Sequence, residues 1–203
     1  MSTNDHLKEV VGSVFNKETE EIRRQFEAVD PTELAAVVEM IATCEGTILT
    51  SGAGTSGILA RKVAHTFCCV GKPALFLSPV DAIHGGSGMV RKADTAILFS
   101  KGGETQELVN LLVPLEHKEV NSVIVTEKPD STLGNRCTQL LKVGPSHEVD
   151  PNDVIATASI TAVNVLFDAI AMMLLERTGY TLDDFAPTHP GGAVGKRLLG
   201  GEE

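Results

Sequence analysis

Apolar residues fall in two rhythms along this chain. Over residues 1–29 they recur at helical spacing on a polar, acid-rich background: Leu7, Val10, Val11, Val14 and Phe15, then Ile22, Phe26 and Val29. One helical face can carry such a stripe, which predicts a long N-terminal helix lying across the domain or across a neighbouring subunit. Asp30-Pro31-Thr32 then supplies an N-cap with proline at the first helical position, opening a helix over 33–43.

From residue 47 the rhythm changes. Short apolar runs at 47–50, 73–77, 95–99, 122–126 and 139–143 alternate with helical patterns at 58–70, 79–87, 104–113, 131–137 and 159–178. The runs are continuous, as in parallel strands covered on both faces. Strand, loop, helix in this order predicts one doubly wound α/β domain, a three-layer α/β/α sandwich around about five parallel strands. The pattern at 159–178 is apolar nearly all round, so that helix must be buried, in the domain or in an oligomer interface. With no internal repeat or low-complexity linker, 1–45 reads as N-terminal helices packing on the domain or a neighbouring subunit, and 46–203 as the domain itself.

Residues 48–57, ILTSGAGTSG, hold the first candidate chemistry. A strand that breaks into a glycine-rich turn and then a helix N-terminus is a recipe for an anion site, because the backbone can approach closely and the helix N–H groups point outward. A tight turn with no ligand would use the same residues. The letters also satisfy the dinucleotide pattern G-x-G-x-x-G, with Asp81 as a late candidate for its acidic partner. A second hydroxyl-and-glycine loop, Ser100-Lys101-Gly102-Gly103-Glu104-Thr105, follows the third strand. Two such loops at neighbouring strand ends converge on one compact anion, and a phosphosugar fits better than a dinucleotide.

Composition narrows the classes. A net charge of −10 without a basic cluster argues against nucleic-acid binding through a positive face, and 4% aromatics with no Trp argue against base stacking. An anionic ligand must then be held by local loops. Cys44, Cys68, Cys69 and Cys137 lack the spacing of a disulfide framework or a zinc site, and Cys68-Cys69 read as small hydrophobes in a helix. No signal peptide and no apolar run of 18 residues is visible, so a soluble cytoplasmic protein with no membrane partner is expected.

The segments GAGTSG, VDAIHGGSGMV, FSKGGETQE, ATASITA and FAPTHPGGAVGKRL, in that order, resemble the sugar isomerase (SIS) domain of arabinose-5-phosphate isomerases, the KpsF/GutQ family. The resemblance covers residues 46–199, and THPGGAVGKRL is its most specific piece. It implies a flavodoxin-like fold and interconversion of ribulose 5-phosphate and arabinose 5-phosphate, feeding synthesis of the eight-carbon sugar Kdo of lipopolysaccharide or capsule. It also implies homotetramers with active sites at subunit interfaces. Aldose–ketose isomerisation moves a proton between C1 and C2 through an enediol. It needs an acid/base near neutrality and a tether for the phosphate, with no cofactor or metal in principle.

Four residues are the acid/base candidates. By resemblance, His189 in THPGG is catalytic and reaches a neighbouring subunit's site, and His84 in AIHGG contacts substrate. Glu107, one turn into the helix after SKGG, and Glu148, in a charged loop, fall on catalytic positions of the family. Read alone, each has a plainer role: a structural or solvated histidine, a helix-dipole partner, a solvated acid. His147 is the lesser participant beside Glu148, and His6, His65 and His117 read as structural or exposed. The substrate- and phosphate-binding set is Gly54, Thr55, Ser56, Ser100, Lys101, Gly102, Gly103 and Thr105. Thr157 and Ser159 form either a third hydroxyl wall or an N-cap pair.

Three departures from the family stand out. Thr55 occupies the place of a catalytically relevant lysine, and Lys101, where asparagine is common, is expected to restore a positive charge near the ligand. Ser78 replaces a histidine implicated in zinc binding, so no specific zinc site is expected. Members often continue into a pair of CBS domains, whereas this sequence ends at Glu203, so regulation through such a pair is not expected. Two other readings stay open: a non-catalytic phosphosugar sensor, and an isomerase of another ketose phosphate.

Overall fold

The continuous apolar runs become a sheet of five parallel strands: β1 (Ile48–Gly52), β2 (Ala74–Phe76), β3 (Thr95–Phe99), β4 (Asn121–Thr126) and β5 (Gln139–Lys142). Their order is β2-β1-β3-β4-β5, with Ile48 opposite both Ala74 and Thr95, Thr95 opposite Asn121, and Val123 opposite Gln139. The helices are α1 (Thr3–Ala28), α2 (Pro31–Ala42), α3 (Gly54–Cys69), α4 (Pro79–Ile83), α5 (Gln106–His117), α6 (Ala158–Thr178), α7 (Leu182–Phe185) and α8 (Gly192–Leu199). The computed structural model describes residues 3–199; residues 1–2 and 200–203, the outer ends of the segments expected at 1–45 and 46–203, lie outside the described residues.

Successive strand residues feed opposite faces, as the pleat requires. Ile97, Phe99, Val123 and Val125 pack with α2, α3 and α6, while Ala96, Leu98 and Ile124 pack with α4 and α5. This is the three-layer, doubly wound architecture expected from the sequence. Strand order reverses between β1 and β3, so a crevice opens at their carboxyl ends, where open α/β sheets bind ligands.

The long apolar helix is α6. It contains an 18-residue window of mean hydropathy 1.9, long and apolar enough by composition to cross a membrane, so the expectation that no such stretch exists is corrected. Here it serves as the core helix. Phe167, Ile170 and Leu174 are fully buried, α1, α2 and α3 pack against it, and the Phe167 ring meets Phe99 edge-on at 4.9 Å. At 21 residues it carries the chain about 30 Å, from the carboxyl edge of the sheet back to the amino edge. There the Tyr180 ring closes over Gly71, just before β2, where a Cβ would lie 2.4 Å from the ring.

Three local expectations change. The helix predicted over 131–137 is only a 3-10 turn at Gly134–Arg136, because the chain doubles back so tightly that a Cβ on Gly134 would lie 2.1 Å from the Pro129 carbonyl. The 79–87 pattern divides into α4 and a 3-10 turn at Gly86–Met89, separated by Gly85 at φ +110°. Finally, α3 begins at Gly54, four residues before the expected start, so the glycine loop is the first turn of the helix.

That early start depends on close contact between strand and helix. A Cβ on Gly57 would stand 2.6 Å from the Gly52 carbonyl oxygen, and one on Gly52 would stand 2.7 Å from Ser56. Gly57→Ala is therefore expected to cost about 1–3 kcal/mol, seen as a lower urea midpoint with an unchanged slope. An unaltered midpoint would mean the turn can open without strain.

Candidate functional site

All loops leaving the parallel strands gather on the carboxyl edge. Beside the β1/β3 switch point, over the carboxyl ends of β3, β4 and β5, a cavity of about 70 Å3 is lined by Ser56 from the first turn of α3, Ser100 and Lys101 after β3, Glu127 after β4, Ser146 in the loop after β5 and Ser159 at the start of α6. Its floor is apolar: Phe99, Val125, Val143 and Val163. Gln25 reaches the same cavity from α1.

The loop after β3 is held by its own hydroxyls. Ser100 Oγ lies 2.8 Å from Thr105 Oγ1 and accepts the Gly103 N–H at 3.1 Å. Gly103 sits at φ +68° with no room for a Cβ, which would fall 1.9 Å from Ser131 Oγ. Its N–H is thus engaged within the turn, and Gly103 acts as a packing residue. Gly54, at φ +55°, and Thr55 are exposed in the first turn of α3, whose leading N–H groups have no helical carbonyl to bind. Gly102 is exposed at the tip of its turn.

Glu148 is the most heavily bonded side chain of the site. Its carboxylate accepts from Thr157 N at 2.8 Å, Ser159 N at 3.2 Å, the Ser159 hydroxyl, and Lys101 Nζ at 3.0 Å. Burial alone would raise its pKa; the Ser159 hydroxyl, the Thr157 N–H, the Lys101 ammonium and the Ser159 N–H outweigh that and hold it down at about 2, from 4.5. The carboxylate thus caps α6, a position the helix dipole also favours. The Thr157 and Ser159 hydroxyls donate to this carboxylate, and the Thr157 side chain makes no cap bond to α6, so the cap is Glu148 and not an N-cap pair of Thr157 and Ser159.

The loop carrying Glu148 is fastened from two sides. Asp153, left-handed at φ +57°, accepts from the Glu148 N–H and pairs with His147 Nδ1 at 3.1 Å. Those two bonds, the Glu148 N–H first, hold the Asp153 carboxyl below its ordinary range. From the other side, α1 grips the loop backbone. Gln25 Nε2 donates to Gly144 O and Gln25 Oε1 accepts from Gly144 N, both at 2.9 Å, while Lys17 Nζ donates to Val149 O at 2.8 Å. Arg24 reaches Pro145 O, and Glu21 accepts from His147 N.

Of the expected site residues, Ser56, Ser100, Lys101 and Ser159 line the cavity; Glu148 faces a neighbouring pocket with Lys17, Arg24, His147 and Asp153, and the others line neither. His84 is exposed at the end of α4, on the carboxyl edge, and Glu107 is half-buried in the first turn of α5 on the same edge. His189 stacks on Phe185 at 4.5 Å, in the segment beyond α6 that starts from the amino edge, and α7 and α8 pack chiefly on the 3-10 turn at Ala186–Thr188 between them. One chain therefore brings Ser56, Ser100, Lys101 and Ser159 together, and leaves His189 apart. Ser78 N-caps α4, accepting from Asp81 N at 3.3 Å. Among the described residues no group of three or more His, Cys, Asp or Glu is arranged to hold a metal.

Glu127, Ser146, Gln25 and Asp153 escaped the sequence search. Glu127 had a usable signal: it is the first residue beyond a central strand, on the edge where ligands bind.

Residues 40–173 match the family model described as SIS domain. The chain belongs to the SIS-domain family. Its relatives include arabinose 5-phosphate isomerase KdsD of Escherichia coli (strain K12), 38% identical over 156 residues that make up 77% of this chain and 48% of the relative. The chain thus spans about half the length of the curated relatives it matches. Among solved structures, an Escherichia coli CFT073 protein in complex with arabinose 5-phosphate is 31% identical with a TM-score of 0.88, covering 94% of this chain and 100% of that one. A Listeria monocytogenes chain described as a candidate sugar-phosphate isomerase is 39% identical with a TM-score of 0.90, over the same shares. The resemblance to the KpsF/GutQ isomerases stands.

A carboxylate with a lowered folded pKa contributes stability that is complete above its unfolded value and fades as pH falls through the folded one. The stability gap between wild type and Glu148→Gln should therefore be constant above pH 4.5 and narrow as pH falls from 4.5 toward 2, measured by urea unfolding. A gap independent of pH across that window would show that the charge of Glu148 is not what caps α6.

Proposed function

We propose that this chain is an aldose–ketose isomerase that interconverts ribulose 5-phosphate and arabinose 5-phosphate through an enediol. The observation that carries the reading is its likeness over 94% of the chain to a protein solved with arabinose 5-phosphate, combined with a cavity at the carboxyl ends of β3, β4 and β5 rimmed by Ser56, Ser100, Ser146 and Ser159. The phosphate is received by Ser56, Ser100, Gly102, Thr105 and the leading N–H groups of α3 at Gly54 and Thr55. Binding exchanges the Ser100–Thr105 hydrogen bond for bonds to phosphate oxygens. No cofactor or metal takes part.

Proton transfer falls to His189, His84 and Glu107. Glu148, held ionised, does not cycle its own proton near neutrality; it holds Lys101 and the start of α6 in place. Since α6 carries the chain away from the carboxyl edge, His189 serves the site of a second copy. This favours a homo-oligomer, a tetramer, with sites at subunit interfaces. The groove of about 580 Å3 between α1 and α6, with Phe26 81% exposed beside it, supports packing between copies. In this reading 1–45 contributes helices to the domain and its neighbour, and 46–203 is the SIS domain. The enzyme works in the cytoplasm and supplies arabinose 5-phosphate for Kdo.

The pinned Glu148 also suits a sensor that binds a phosphosugar without converting it. Incubation with ribulose 5-phosphate in D2O separates the two readings. Arabinose 5-phosphate carrying deuterium at C2 is expected, and His189→Ala is expected to lower kcat by about 10²–10⁴-fold. Saturable binding with no conversion of this or longer ketose phosphates would make the sensor reading the correct one.

A further inference from the structure

Lys101 and Glu127 leave adjacent strands. Phe99 pairs with Val125, and beyond the strand ends Glu127 N donates to Lys101 O at 3.0 Å while Thr126 Oγ1 donates to the same carbonyl at 3.0 Å. Both backbones are thus fixed before either side chain is placed. Lys101 Nζ then stands 3.0 Å from Glu148 Oε1 and 3.8 Å from Glu127 Oε1. The two carboxylates differ. Glu148 has its acceptors filled by the start of α6, whereas Glu127 lines the cavity wall and accepts from the Ser146 hydroxyl.

Lysine is a compact charge on a flexible stem, and flanking carboxylates remove much of that freedom. The same carboxylates offset part of its charge and repel any anion in proportion to that anion's charge. A phosphate dianion is therefore opposed in every bound state, whereas a sugar oxygen that is neutral in the ground state is opposed only by the fraction of charge it gains. Ser56, Ser100 and Thr105 present no such conflict. An oxygen that becomes charged only during the reaction makes a different demand. It needs a donor aimed in advance, next to an apolar wall such as Phe99, Val125 and Val163 provide.

We propose that Lys101 donates to the substrate oxygen on which enediolate charge develops, and that Glu127 is the positioning residue that keeps its ammonium turned over the cavity. This rests on the isomerase reading. A C2–H proton leaves to the base, its electron pair becomes the C1–C2 double bond, and the carbonyl pair moves onto O1. Lys101 donates a hydrogen bond to O1 and keeps its proton. The base then returns its proton to C1 while the O2 proton passes to O1, forming the C2 carbonyl.

The test compares wild type, Lys101→Met, Lys101→Arg, Glu127→Gln and Glu127→Asp for ribulose 5-phosphate turnover and arabinose 5-phosphate binding, with melting temperature as the folding control. Lys101→Met should lower kcat by about 10²–10³-fold and move Kd by no more than about threefold, with Lys101→Arg recovering part of the rate. Glu127→Gln should lower kcat by about tenfold at nearly constant KM, with Glu127→Asp recovering part of it. Wild-type kcat in Lys101→Met overturns the proposal, and so does a Kd raised more than about tenfold at unchanged kcat, which would place the lysine in the phosphate subsite. A folded Glu127→Gln protein with unchanged kcat removes the role of Glu127. Wild type that binds without turnover sinks the isomerase reading and this proposal with it; active wild type with unaffected variants sinks this proposal alone.

Discussion

A buried carboxylate stays charged only where donors replace the water it has lost, and Glu148 meets that condition at the start of the core helix. The Thr157 and Ser159 N–H groups are donors that α6 cannot satisfy internally, and Glu148 takes both. One interaction thereby ends a loop, begins a helix and holds Lys101 at the cavity. The same bonds that settle the helix remove this carboxyl from titration near neutrality. Fold and site share one group, and its electrostatics serve the fold first.

The sheet contributes by alignment. With every strand parallel, the ends of β1, β3 and β4 lie side by side, and single residues just beyond them, at the first turn of α3, Lys101 and Glu127, become neighbours although far apart in sequence. None of these side chains needs a long loop to reach the cavity. The backbone bond from Glu127 to Lys101 extends the ladder past the last strand residue, so the charged pair stands on the sheet itself.

How far this was legible follows from the same physics. Parallel strands covered on both faces read as plain apolar runs, so all five were visible within a residue or two. The start of α3 was not: glycines suggest a loop, yet Gly52 and Gly57 act here by letting strand and helix touch, which shows only in three dimensions. The 3-10 turn at Gly134–Arg136 hid behind a helical spacing for a related reason. Among site residues, Ser56 and Ser100 were found by their loop chemistry. Glu127 was not, because in Glu127-Lys128-Pro129-Asp130 it resembles one more polar residue of a turn. His189 belongs to a recognisable motif, but its distance from the cavity within one chain follows from the direction and length of α6.

The grip of α1 on the loop at 144–149 has a consequence for how such a protein can change over generations. Lys17, Arg24 and Gln25 bind backbone groups of Val149, Pro145 and Gly144, so the clasp is largely indifferent to which side chains the loop carries. Drift in those side chains can retune the mouth of the cavity while the loop keeps its path. Gly144 and Glu148 are the exceptions: a Cβ on Gly144 would lie 2.8 Å from that of Ala28, and the Glu148 carboxylate is the cap of α6. A lineage could therefore explore new ligands through the other positions of this loop while Gly144, Ala28 and Glu148 remain nearly immovable.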